Sequence, residues 1–276
     1  MSLYRGMDRA ALDAAYNNGR AVATSPLILG DWRARSAAFR AARPQHLDLR
    51  YGPAERNRLD FFSAGAADAA TLVFIHGGYW QRNAKEDFAF LAAGPLAHGI
   101  NVALPGYTLA PTARLDDIVG EIRASLATIA DPLTRLGTNP ARIYVAGWSA
   151  GGHLAASMMT EPAVAGGLAI SGIFDLEPIR LCYLNDKLAL DEAEARRNSP
   201  LLQLPERAPR LLIAVGGGEL PELRRQSSEY ASAWAEAGLD VGFVELGNHN
   251  HFTILEELAA PDGKLTNLVC DLVAGR

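Results

Sequence analysis

The chain has 276 residues, of which 49% are hydrophobic and 21% are charged, and its formal net charge is -5 at pH 7. This composition is typical of a globular protein and excludes a largely disordered chain. The mild negative charge provides no basic surface for nucleic acid, and the two cysteines, Cys182 and Cys270, lack the spacing of a metal or redox motif.

The N-terminal segment carries polar and charged residues throughout and lacks the apolar core of a signal peptide. No later apolar run is long enough to span a bilayer. We therefore expect a cytoplasmic protein that binds neither a membrane nor nucleic acid. A homodimer is left open.

The first predicted element is a helical, Arg/Ala-rich arm over residues 1–43, in which Asp8 is the expected N-cap of a helix that starts at Arg9. In an α/β enzyme such an arm either packs over the site as a partial lid or covers part of the surface elsewhere. The sequence leaves both alternatives open.

Two alternating stretches, His46–Tyr51 and Arg58–Phe62, follow the arm and predict an antiparallel hairpin. Short apolar runs then alternate with helical stretches. The runs are TLVFIH, INVALP, RIYVAG, VAGGLAIS, LLIAVG and VGFVELG, and the helices are expected over 85–97, 116–136, from 150 and over 221–237. This alternation predicts an α/β fold with a mostly parallel sheet and helices on both faces.

Residues 172–209 interrupt the alternation with Pro178, Pro200, Pro205 and Pro209 and with a charged patch. We interpret them as a cap-like insertion above the strand ends. The whole chain, 1–276, is then a single domain that carries the arm and this insertion.

The motif Gly147-Trp148-Ser149-Ala150-Gly151 matches G-x-S-x-G between an apolar run and a helical stretch. In that position a sharp strand-to-helix turn exposes the serine hydroxyl above the sheet, at the positive end of the helix dipole. Ser149 is therefore the predicted nucleophile. The alternative, a glycine-rich turn that only starts a helix, fits the strand and helix context less well.

A second motif, HGGYW over residues 76–80, ends the run LVFI. Two glycines after a strand leave backbone N–H groups open to a substrate oxygen, so the amides of Gly78, Tyr79 and Ala150 are the predicted oxyanion hole. His76 is expected to shape this loop. We expect His76, Trp80 and Trp148 to line the substrate pocket. Tyr79, Trp80 and Trp148 would suit a flat aryl group, although packing beside the turn would also explain these aromatic residues.

A serine nucleophile needs a base, which this chain order places near the C-terminus. His251 and His249 in GNHNHFTILEEL are the candidates, and His251 is preferred because it lies at the start of the terminal helix pattern. The orienting acid should follow the penultimate strand. Glu219 in VGGGELPEL is preferred there, with Glu222 and Asp175 as alternatives.

Several motifs together resemble one family. They are HGGYW, GYTLAP, GWSAGGHL, SGIFDLEP, GGGE, ELRRQS and HFTIL. The chain resembles the kynurenine formamidase (arylformamidase) branch of the α/β hydrolases, a neighbour of the hormone-sensitive-lipase-like esterases, over nearly its whole length. The resemblance places the family's nucleophile on Ser149, its acid on Glu219 and its base on His251. Characterised members often have aspartate where this chain has Glu219.

The resemblance implies a serine hydrolase that cleaves N-formyl-L-kynurenine to L-kynurenine and formate. We expect no metal or organic cofactor, because the sequence has neither a clustered His/Cys set nor a Gly-rich phosphate loop followed by Lys. The expected partner is a small ester or amide substrate. Two alternatives remain open: a general short-chain carboxylesterase, and a non-catalytic ligand-binding protein on a hydrolase scaffold.

Overall fold

The structure is a computed structural model that describes residues 2–66, 68–131, 133 and 136–276. Its strands are β1 (Leu49–Arg50), β2 (Arg58–Phe62), β3 (Thr71–Ile75), β4 (Asn101–Pro105), β5 (Ile143–Trp148), β6 (Val164–Ile170), β7 (Leu211–Gly216) and β8 (Val241–Leu246). In the described part of the chain they form an eight-stranded sheet in the order β1-β2-β4-β3-β5-β6-β7-β8. β1 and β2 pair antiparallel, as do β2 and β4, and the remaining pairs are parallel.

The central strands form because they can be buried on both faces. All residues of β3, β4, β5 and β7 are buried, which explains why they read as continuous apolar runs. Side chains still alternate between the two cores. Val73 faces one core, whereas Leu72 and Phe74 face the other. The predicted fold class, with its N-terminal antiparallel hairpin, is confirmed.

Helices cover both faces of this sheet. They are α1 (Arg9–Ala15), α2 (Asn18–Ala21), α3 (Ser25–Ala41), α4 (Ala93–Ala97), α5 (Leu115–Ala130), α6 (Ala150–Ser157), α7 (Glu177–Arg180), α8 (Asn185–Leu188), α9 (Glu192–Arg197), α10 (Pro221–Glu236), α11 (Glu256–Ala259) and α12 (Lys264–Val273). Short 3₁₀ turns lie at Lys85–Ala92, Pro200–Leu202 and Thr253–Leu255. Every helix of the described residues is too short or too polar to cross a membrane.

Two predicted helices differ in extent from the observed ones. The helix expected over 85–97 is a 3₁₀ segment followed by α4, and Pro95 lies inside α4. The helix expected over 116–136 begins at Leu115 and ends at Ala130. Three positions of its predicted C-terminal part, 132, 134 and 135, lie outside the described residues.

The N-terminal arm is helical as predicted and is fastened to the rest of the domain. Asp8 caps α1 by accepting a hydrogen bond from the amide of Ala11 at 2.9 Å. The Tyr16 hydroxyl is buried against α10, where it donates to Glu222 at 3.1 Å. On the other side of the arm, the fully buried Trp32 packs edge-on against Trp148 with ring centroids 5.6 Å apart. These contacts hold the arm beside the carboxyl ends of the central strands.

Residues 172–209 contain the short helices α7, α8 and α9. The segment contacts the arm directly, since the amide of Tyr183 donates to Asp13 at 2.7 Å. Its other side is tied to α10, because Gln226 accepts hydrogen bonds from the amides of Phe174 and Asp175. The role of this segment as a cap stays a prediction, as does the division of the domain into arm, core and insertion.

Candidate active site

Ser149 lies on a sharp turn between β5 and α6. Its backbone has φ 59° and ψ -119°, a conformation that side chains rarely adopt. The two glycines of the motif make this turn possible. A Cβ on Gly147 would lie 2.0 Å from the Gly151 carbonyl oxygen, and one on Gly151 would lie 2.0 Å from that of Ile75. Glycine is therefore required at both positions, because no side chain fits there.

His251 and Glu219 complete a chain of hydrogen bonds that starts at this serine. The Oγ of Ser149 lies 3.1 Å from Nε2 of His251, and Nδ1 of His251 lies 2.6 Å from Oε2 of Glu219. Glu219 follows β7, and His251 follows β8. The crossover connections of a parallel sheet thus bring three residues that are distant in sequence to one edge of the sheet. All three are at least nine-tenths buried.

The Glu219 carboxylate is held by two further donors. The amide of Gly216 donates to Oε1 at 2.7 Å, and the hydroxyl of Ser171 donates to the same oxygen at 2.5 Å. Our sequence reasoning missed Ser171. Its position directly after β6 places it at the carboxyl edge of the sheet but does not show which residue it contacts. With Oε1 occupied in this way, Oε2 is left to face the imidazole.

The alternative acids and the alternative base lie elsewhere. Glu222 pairs with Arg225 at 2.7 Å, and Asp175 accepts the Tyr4 hydroxyl at 2.7 Å. Nε2 of His249 lies 3.2 Å from Glu257. His249 contributes through its backbone, since its carbonyl accepts the amide of Gly218 at 3.0 Å and so joins the two loops.

The loop that follows β3 passes directly against the serine turn. Gly78 has φ 124°, and a Cβ there would lie 2.2 Å from the Arg82 carbonyl oxygen. Tyr79 has a left-handed backbone with φ 52°. Among the described residues, no group accepts a hydrogen bond from the amides of Gly78, Tyr79 or Ala150. These are the three donors expected from the sequence, and they remain free for an oxygen atom of a substrate.

A cavity of about 390 Å³ opens at Ser149 and His251. Trp148 and Phe252 form part of its wall, and the rest comes largely from the N-terminal arm. The contributing arm residues are Asn18, Gly19, Ser25, Pro26, Leu29 and Arg33. Six arm residues thus lie in the cavity wall, and a role of the arm as a partial lid stays a prediction. A larger cavity of about 700 Å³ lies near Asp116 and Pro205 and has neither Ser149 nor His251 in its wall.

Two of the aromatic residues expected in the pocket lie outside its wall. His76 is buried between Tyr107, at 4.3 Å between ring centroids, and Phe88, and its Nδ1 is 2.9 Å from the Gly77 carbonyl oxygen. Trp80 is fully buried and packs edge-on against His153. The rings of His76 and Trp80 are buried in the core, whereas Trp148, the third residue of this set, faces the cavity.

The two buried histidines predict a loss of stability in acid. Burial lowers the pKa of His76 and of His153 to about 4, whereas an unfolded chain has its histidines near 6.5. Between these values only the unfolded state takes up the protons. The free energy of unfolding should therefore fall as the pH drops from about 6.5 to about 4, by ~3 kcal/mol for each histidine.

Urea unfolding at pH 7 and at pH 4.5 measures this effect. The variant His153→Gln can still donate to the Asn198 carbonyl, which accepts from Nε2 of His153 at 2.7 Å, but it cannot titrate. It should lose a clear part of the pH dependence. An identical pH dependence in the wild type and in this variant would contradict the assignment for His153.

The sheet, the strained serine turn and the buried Ser149–His251–Glu219 hydrogen bonds have the form of an α/β-type hydrolase site. A family model described as alpha/beta hydrolase fold matches residues 72–255. Solved esterases show the same fold at low identity. One is an esterase of Pyrobaculum calidifontis, with a TM-score of 0.72 at 18% identity over 98% of this chain and 99% of that one.

Two curated proteins and one solved structure show which branch of this family the chain resembles. A kynurenine formamidase of Danio rerio is 31% identical over 99% of both chains, and one of Salmo salar is 33% identical over 82% of this chain and 81% of its own. The structure of a candidate thioesterase from Silicibacter sp. TM1040 has a TM-score of 0.84 at 30% identity, over 94% and 98% of the two chains. The protein belongs to the α/β-hydrolase family, in the branch that contains the kynurenine formamidases, and it is a hydrolase.

Proposed function

We propose that the protein hydrolyses N-formyl-L-kynurenine to L-kynurenine and formate, with Ser149 as nucleophile, His251 as general base and Glu219 as the acid that orients it. The observation that carries the proposal is the hydrogen-bonded series from Ser149 through His251 to Glu219, whose first two members line a cavity of about 390 Å³. The near-full-length similarity to kynurenine formamidases supports the choice of an aryl formamide.

In the first half of the reaction, His251 accepts the proton of the Ser149 hydroxyl through Nε2 as Oγ attacks the formyl carbon. Glu219 accepts a hydrogen bond from the Nδ1–H of His251 and stays ionised, so it holds the tautomer that leaves Nε2 free and stabilises the imidazolium that forms. The amides of Gly78, Tyr79 and Ala150 stabilise the tetrahedral oxyanion. One such donor contributes about 3 kcal/mol to the transition state.

The imidazolium then protonates the aryl amine, the C–N bond breaks, and L-kynurenine leaves a formyl ester on Ser149. Water repeats the sequence in the second half: His251 accepts its proton, the tetrahedral intermediate forms again, and formate leaves as the serine recovers its proton. Every proton transfer uses the same imidazole nitrogen. The described residues therefore supply each group that this sequence of steps requires.

The wall of the cavity supports an aryl leaving group. Trp148, Tyr79 and Phe252 provide aromatic surface beside Ser149. The Trp148 ring lies 4.9 Å from that of His251, and its Nε1 donates to the His251 carbonyl at 2.7 Å. The same ring thus positions the base and offers a face for the substrate.

Hydrolysis rates on N-formyl-L-kynurenine and on p-nitrophenyl acetate test the proposal. We expect kcat/KM for the formamide to exceed that for the activated ester, although the ester is intrinsically more reactive. N-acetyl-L-kynurenine serves as a matched control for acyl size. A chain that hydrolyses the ester and leaves the formamide intact would be a carboxylesterase, and the formamidase proposal would be wrong.

A further inference from the structure

One side of the cavity carries a buried hydrogen-bond acceptor without a partner. Asn18, at the start of α2, lines the cavity and is only 3% exposed. Its Nδ2 donates to the Tyr79 hydroxyl at 3.0 Å, but its Oδ1 accepts no hydrogen bond from the described residues. Leaving a buried acceptor unpaired destabilises a fold by about 1–3 kcal/mol. The oxygen belongs to a residue of the cavity wall and is itself shielded from solvent, so it is an acceptor for a ligand donor around which that wall adjusts.

The orientation of the Asn18 amide is fixed by Tyr79. The hydroxyl of Tyr79 donates to the Tyr16 carbonyl at 2.5 Å, so its oxygen can only accept from Asn18. Burial raises the pKa of Tyr79 well above its usual range, which keeps this proton on the hydroxyl. A flipped amide would set its oxygen against another acceptor. Oδ1 of Asn18 therefore faces away from Tyr79 and is left for a donor that the ligand brings.

A cation without a carboxylate partner lies on the same part of the wall. The Arg82 guanidinium is 5.8 Å from the centroid of the Tyr79 ring, and within the described ranges it forms no ion pair. Arg33, the other arginine of the wall, is 3.3 Å from Asp87 and is balanced by it. The described wall contains no aspartate or glutamate. The neighbours of Arg82 in the described ranges include the neutral Tyr183 hydroxyl, so the charge of Arg82 is available to attract an anionic group.

We propose that Asn18 and Arg82 form a subsite for the α-amino-acid end of the substrate. Oδ1 of Asn18 accepts a hydrogen bond from the ammonium group, and the guanidinium of Arg82 donates to the carboxylate. Both side chains contact the side chain of Tyr79, whose own amide is an oxyanion donor in the proposed function, on which this inference rests. The subsite is therefore one tyrosine side chain away from the proposed oxyanion donors.

Binding to the Ser149→Ala variant tests the subsite without depending on turnover. The ligands are L-kynurenine and 2-aminoacetophenone, which has the same aryl ketone but no amino-acid end, and calorimetry gives both Kd values. We expect L-kynurenine to bind at least about tenfold more tightly, since a hydrogen bond to a charged group typically contributes this much or more. Adding Arg82→Gln or Asn18→Leu should remove most of that difference.

Arg33→Gln is the matched control. It also removes a positive charge from the cavity wall, but Asp87 already pairs with that charge. It should change both Kd values by the same factor and leave their ratio intact. Equal Kd values for the two ligands in the parent protein, or a ratio that Arg82→Gln leaves unchanged, would overturn the subsite. Tight L-kynurenine binding by an enzyme that does not hydrolyse N-formyl-L-kynurenine would instead contradict the proposed reaction and leave the subsite standing.

Discussion

Replacing Ser149 by alanine should lower kcat by at least about 10⁴-fold, because the acyl-enzyme can no longer form. The fold should be unaffected. Alanine is no larger than serine and fits the same space. The backbone amide of residue 149, which donates to the Ile170 carbonyl at 2.8 Å, is unchanged by the substitution. Thermal unfolding checks the fold, and single-turnover assays on highly purified protein check the rate.

Labelling with a fluorophosphonate gives an independent reading of the same residue. The wild type should be labelled and Ser149→Ala should not. Equal labelling of both proteins, or a variant that keeps more than a few per cent of the activity after removal of host esterases, would show that another residue is the nucleophile. If the wild type neither reacted with the probe nor hydrolysed N-formyl-L-kynurenine or p-nitrophenyl acetate, the result would favour a non-catalytic ligand-binding protein.

Replacing His251 by alanine should lower kcat/KM by about two to four orders of magnitude, the usual contribution of a general base. His251 is the imidazole in contact with Ser149, and its buried partner Glu219 would be left without its hydrogen bond to Nδ1. A steady-state assay over a range of substrate concentrations should show the loss mainly in kcat.

The matched variant is His249→Ala, two residues earlier. It removes a partly exposed contact with Glu257 and retains the carbonyl that joins the two loops, so kcat/KM should change by less than about threefold. If His249→Ala were the inactive variant and His251→Ala stayed active, the assignment of the base would be wrong. The assignment of Ser149 as nucleophile would be unaffected by that result.

The elements around Ser149 could be predicted because they obey local rules. A glycine-flanked serine between an apolar run and a helix specifies the turn, and His76–Trp80 specifies a second loop after a strand. The choice of Glu219 over Glu222 also followed from local chemistry. Three glycines form a tight turn that leaves Glu219 beside the strand end, whereas Glu222 lies inside α10, where it pairs with Arg225.

The contributions of Ser171 and Asn18 were beyond local rules. Ser171 is 48 residues from the carboxylate that it contacts, and Asn18 is 61 residues from Tyr79. Serine and asparagine are common residue types, so neither stands out in the sequence. Their contacts can be recognised only once the sheet order and the position of the arm are known. The same reason explains the misplacement of His76 and Trp80. Aromatic residues beside such a loop can face the cavity or the core, and the packing of the whole domain decides which.

The position of the N-terminal arm has a consequence for how this protein can diverge in evolution. Ser149, Glu219 and His251 come from strand ends in the second half of the chain, but much of the cavity wall comes from residues 18–33. Mutations in that one short segment can reshape the cavity while the reacting groups keep their geometry. Descendants of such a chain can therefore change the substrates that they bind through changes in the arm.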